Sequence, residues 1–97
     1  MQNFYHLDQL IHGYFNQDYD LINDGEDTIE GIIGLFKKTA PGWLLKELAE
    51  EIDTFIECYG DKLDDEFKSR YGFDFSPELW ETTSYNFLMT VRRLALA

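Results

Sequence analysis

At 97 residues the chain has room for one modest core and a single domain, residues 1–97, but not for a separate substrate lobe. Its 19 acids against eight bases give a formal charge of -11, which disfavours direct binding to nucleic acid, because phosphate contacts draw on an excess of Lys and Arg; a basic protein suits it better. A hydrophobic fraction of 44% with 16% aromatics excludes a disordered acidic tail.

Cys58 is the lone cysteine, so no internal disulfide can form. No signal-type start is present, and no apolar run nears the roughly 20 residues of a bilayer span. The expectation is a monomer in a reducing cytosol, with no membrane partner.

In chain order, Phe4, Leu7, Ile11 and Tyr14, with Leu10 and Phe15 beside them, recur at three- and four-residue steps and predict a first helix. Tyr14 and Phe15 continue its stripe and are expected in the core. Asn23-Asp24-Gly25 has turn chemistry. Ile29, Ile32, Ile33 and Phe36 predict a second helix with Asp24 or Asp27 as N-cap and Lys37 and Lys38 in the last turn, matching the helix dipole. Gly31 and Gly34 each lower helix propensity by about 1 kcal/mol relative to Ala, which suggests close helix packing or a short, frayed helix.

Thr39 is a plausible cap for a third helix with Pro41 in its first turn. Leu44, Leu45, Leu48, Ala49, Ile52, Phe55, Ile56 and Tyr59 make this the strongest periodic pattern in the chain. Its other side carries Glu47, Glu50, Glu51, Asp53 and Glu57, a negative face opposite a buried one. Gly60 is the expected stop. A shorter fourth helix is predicted from about Lys62 to Arg70, then an irregular stretch from Gly72 to Pro77, whose proline biases Ser76 away from helix. Thr83 or Ser84 caps a fifth helix with Leu88, Val91, Leu94 and Ala95 inward and Arg92 and Arg93 near its end. The predicted fold is all-α, a compact single-domain bundle of about five helices; Phe73-Asp74-Phe75 alternates like a strand but has no evident partner.

The candidate binding residues are Asp18, Tyr19, Asp20, Asp24, Glu26, Asp27 and Glu30, since no Lys or Arg separates Tyr14 from Glu30. Uncompensated carboxylates held so close suit a cationic partner that neutralises them on binding. Asp18 and Asp20 could equally brace the turn into the second helix. A rival acidic surface is the outer face of the third helix with Asp61, Asp64, Asp65 and Glu66. Tyr19, Trp43 and Trp80 are candidate aromatic anchors, although buried packing with a satisfied N–H is the commoner use of Trp.

Together, Tyr14-Phe15-Asn16-Gln17-Asp18-Tyr19-Asp20, the acidic segment after it, Leu44-Leu45-x-x-Leu48-x-x-Glu51-Ile52-Asp53, and Tyr85 ahead of Val91-Arg92 make a pattern that resembles the CdiI-type immunity proteins of bacterial contact-dependent growth inhibition systems. The resemblance covers most of the chain. The family's usual first motif has histidine and tryptophan where this sequence has Asn16 and Tyr19, so no histidine role carries over. It implies a non-enzymatic inhibitor that binds the C-terminal domain of a cognate toxin. Toxins acting on nucleic acid need cationic clefts, which an acidic protein can occupy, and charge steering brings association to about 10⁸–10⁹ M⁻¹s⁻¹ at low salt. The alternative is an acidic nucleic-acid mimic or adaptor for another basic host protein.

Catalytic and metal readings find little to stand on, and no cofactor is expected. Asp20 to Gly31 has the length of a calcium loop with Gly25 at its sixth place, but Ile22 and Gly31 replace oxygen ligands. His6 and His12 fall on different sides of a helix. Cys58 borders the apolar stripe of the third helix and is expected to be a packed, inert thiol.

Overall fold

The computed structural model describes residues 4–15, 28–72 and 75–97. Five α-helices lie among the described residues: α1 (Tyr5–Tyr14), α2 (Ile29–Thr39), α3 (Gly42–Tyr59), α4 (Leu63–Tyr71) and α5 (Ser84–Leu96), with short 3₁₀ turns at Gly60–Lys62 and Pro77–Trp80. The all-α expectation and the number of helices agree with this. The Asn23-Asp24-Gly25 turn lies outside the described residues, as do Phe73 and Asp74.

Helix α3 is the central element, in most extensive contact with α5 and next with α1. It forms where the periodic run predicts, burying Leu48, Ala49, Ile52 and Phe55. Gly60 ends it at φ +38°, a backbone region that side chains disfavour. Pro41 is extended and stands at the N-cap, one residue before the expected first turn, and its carbonyl accepts from the N–H groups of Leu44 and Leu45. Thr39 does not cap α3; it is the last residue of α2, where its hydroxyl donates to Phe36 O at 3.2 Å.

The cap of α2 is Thr28 instead of Asp24 or Asp27. Its Oγ1 accepts from Gly31 N at 2.9 Å, because an extended residue immediately before the helix aims its oxygen at the N3 amide. No neighbour approaches within 4 Å of where a Cβ on Gly34 would stand, so close packing is not what Gly34 serves. Thr83 caps α5, accepting from Asn86 N at 3.1 Å, while Ser84 is buried in the first turn. Lys37 Nζ donates to Leu94 O at 2.7 Å, placing a cation on the negative end of α5. That bond ties the last turn of α5 to the last turn of α2.

The core is aromatic. Phe15, Phe75 and Phe87 form a triangle with ring centroids 5.2, 5.2 and 4.5 Å apart, and Phe67 stands 5.9 Å from Phe87. Phe4, Phe55, Tyr59, Phe67 and Tyr71 extend this edge-to-face packing toward α1 and α4. Each buried Phe contributes about 1.5–3 kcal/mol by transfer from water, with about 0.5–1.5 kcal/mol more per favourable ring pair. Phe15 is buried as expected and Tyr14 is half-buried. Phe87, fully buried, is a core residue that the α5 periodicity left unnamed.

Candidate functional site

Of the predicted contact residues, only Glu30 falls among those described; Asp18, Tyr19, Asp20, Asp24, Glu26 and Asp27 lie outside them. Glu30 is exposed in the first turn of α2 and lines a cleft of 370 Å³ with Trp80, Glu81, Thr82 and Thr90. Glu81 holds a left-handed backbone at φ 59°, uncommon for a residue with a side chain. Two carboxylates therefore border this cleft, one from the positive end of α2 and one from the turn ahead of α5.

The rival acidic surface, α3, is less uniform than its sequence suggests. Glu51 turns inward: its carboxylate accepts from Leu7 N at 3.0 Å and from His6 N at 3.2 Å, so it caps the start of α1 from another helix. Phe4 precedes α1 and offers no side-chain cap of its own, which is why those amides need a partner from elsewhere. Burial raises the Glu51 pKa above the ordinary value of 4.5, outweighing the two amide hydrogen bonds that lower it. Glu47 contacts His6 Nε2 at 2.9 Å, and Asp53 accepts from Arg92 Nε at 2.7 Å.

Glu50 and Glu57 remain. Both are exposed and neither forms a salt bridge among the described residues. On α4, Asp64 and Asp65 are likewise exposed, whereas Glu66 accepts from Arg70 Nε at 2.7 Å. That guanidinium also lies 5.1 Å from the Phe4 ring centroid and donates to Tyr59 Oη at 3.0 Å, so it ties α4 to the core instead of neutralising the surface. Lys68 pairs with Glu78 at 2.9 Å. Tyr71 Oη donates to Asp8 at 2.5 Å; burial, then this bond, raises the tyrosine pKa.

Apolar anchors accompany the acids. Trp43 is 61% exposed at the start of α3, against the expectation of burial, because position 43 falls on the outer side of the helix, away from Leu48 and Ile52. Its ring stands edge-on to His6 at 6.2 Å, and Tyr5, also exposed, stands edge-on to the same imidazole at 5.5 Å. Trp80 is half-buried against Phe15 and Phe75. Tyr85, Met89 and Leu96 are exposed on α5, a signal that helical spacing alone could have found. Cys58 is exposed, not packed, since it too lies outside the buried stripe of α3.

Among the described residues no three His, Cys, Asp or Glu side chains converge on a metal position, and no helix is long and apolar enough to cross a membrane. The arrangement offers charged and aromatic surface for contact with another macromolecule. A family model described as CdiI immunity protein matches residues 3–95. No curated protein and no solved structure matches the chain.

Proposed function

The chain belongs to the CdiI immunity protein family, whose members neutralise a toxin, and from that premise we propose that it binds the C-terminal domain of a cognate contact-dependent inhibitor, a basic nuclease, through acidic complementarity. The family match over residues 3–95 is the observation that carries this reading. The charge of -11 supports the mechanism: an acidic protein is drawn to the cationic cleft a nuclease needs for phosphate, then excludes the substrate. The contact segment in this reading is Asp18, Tyr19, Asp20, Asp24, Glu26, Asp27 and Glu30. Glu30, exposed and without an ion pair, supports it among the described residues. The protein acts in the cytoplasm as a monomer, by occupation and without catalysis.

The test is co-expression with the toxin domain encoded next to it. Reversing Asp18, Asp20, Asp24 and Asp27 to Lys should leave circular dichroism helical and abolish protection. Full protection by that variant would remove the segment from the interface. Capture of many basic proteins with steep salt dependence, in place of one toxin, would favour a general acidic mimic.

A further inference from the structure

We propose that the α3–α5 edge is a docking surface for a cationic protein face that sets two Lys or Arg side chains about 10 Å apart beside an apolar side chain. The inference rests on the toxin-binding reading for the partner's identity and adds a surface outside the acidic segment on which that reading was built.

On α5, Tyr85, Met89, Arg92 and Leu96 follow one another at steps of four, three and four, a single stripe along the helix. Tyr85 is 49% exposed, Met89 37% and Leu96 51%, while the opposite side of the helix buries Phe87, Leu88, Val91 and Ala95. An apolar row left outside a core already filled from the other side of the helix calls for a cover. Met adds adaptability, being unbranched and polarisable.

Beside this row runs a row of carboxylates. Glu50, Asp53 and Glu57 share the outward side of α3, and the 2.7 Å bond from Arg92 to Asp53 locks the two rows together. Arg92 spends its charge on Asp53, so the two ends of the row stay negative while the middle is neutral. Seven residues of α-helix separate Glu50 from Glu57, about 10 Å of rise. An apolar strip with charged ends has the make-up of a binding hot spot and its rim.

Charge selects the occupant. A second copy of this chain would bring another surplus of 11 negative charges, and the same two glutamates, against this edge. A cationic face instead neutralises Glu50 and Glu57 and covers Met89.

The experiment measures binding of the purified protein to the adjacent-frame toxin domain across a salt series. Tyr85→Ser with Met89→Ser should raise Kd about tenfold or more, mostly through faster dissociation. Glu50→Lys with Glu57→Lys should slow association and flatten its salt dependence. Asp64→Lys with Asp65→Lys, an equal charge change on α4, should alter Kd less than about twofold, as rim charges do. Met89 oxidation by peroxide should slow in the wild-type complex, a readout independent of any variant's folding. Wild-type affinity in both α3–α5 variants, equal losses from the α4 control, or unprotected Met89 would each overturn the docking surface and leave toxin binding intact. Self-association of the wild type that Met89→Ser abolishes would reassign the edge to a dimer. Failure of the wild type to bind the toxin domain would remove both readings together.

Discussion

Glu51 on α3 caps the start of α1, and its removal measures that link. Glu51→Ala leaves the amides of His6 and Leu7, now 3.2 and 3.0 Å from carboxylate oxygens, without their acceptor. A lost side-chain cap costs about 0.5–2 kcal/mol, and a hydrogen bond to a charged group contributes about 1.5–3 kcal/mol. Water can reach the end of α1 once the side chain is gone, so the loss should be about 2 kcal/mol. For a domain of this size that corresponds to roughly 8–16 °C in Tm. Glu51→Gln keeps one acceptor and should lose about half as much.

The pH dependence adds a sign. A carboxyl whose folded pKa is raised binds its proton more tightly in the native state, so its contribution is complete below the ordinary value of 4.5 and is lost as pH climbs through the raised value. Wild-type stability should therefore fall, relative to Glu51→Gln, over the interval above pH 4.5, with both proteins followed by thermal melts at matched salt. A Tm for Glu51→Ala within about 2 °C of wild type would refute the interhelical cap, whereas parallel pH profiles for wild type and Glu51→Gln would refute the net rise in the Glu51 pKa that burial causes.

Three further substitutions probe other parts of the fold. Phe67→Ala empties a fully buried site between α4 and α5 and should cost about 3–5 kcal/mol in denaturant titration; a loss under 1 kcal/mol would mean the aromatic core can collapse around the gap. Gly60→Ala forces a side chain into φ +38° and should lower stability by about 1 kcal/mol, although open space surrounds the position; an unchanged melt would show that the turn relaxes. Ser84→Ala removes a buried hydroxyl that has no hydrogen-bond partner among the described residues and should stabilise the protein by about 1 kcal/mol. A clear loss of stability on that change would show that the hydroxyl is bonded in solution.

Helical periodicity is local, and it placed Leu48, Ile52 and Phe55 on the buried side of α3 and Leu7 and Ile11 on that of α1, where the structure has them. Caps were less legible. Asp27 and Thr28 are both good capping types, and which one turns its oxygen onto Gly31 N depends on where the helix begins, a choice made by the packing of Ile29, Ile32 and Ile33. By sequence Glu51 is one of five acids on the side of α3 opposite its apolar stripe. Yet, three residues after Leu48 and four before Phe55, it borders the buried side of α3, whereas Glu50 faces outward; its partners, His6 and Leu7, lie 45 and 44 residues away and no local signal names them.

What the amino-acid order determined by itself is the sum of charge, the helical class and the sides of each helix that must leave water, since these follow from side-chain chemistry and a repeat of 3.6 residues. Family membership was legible as well, in motifs spread along most of the chain. Only the tertiary structure decided how the carboxylates are shared out. It turned Glu51 onto α1, pinned Asp53 to Arg92 and left Glu50 and Glu57 exposed, with no ion pair among the described residues. The reason is that a charge becomes free or spent through what stands within about 4 Å of it, and those neighbours come from distant parts of the chain.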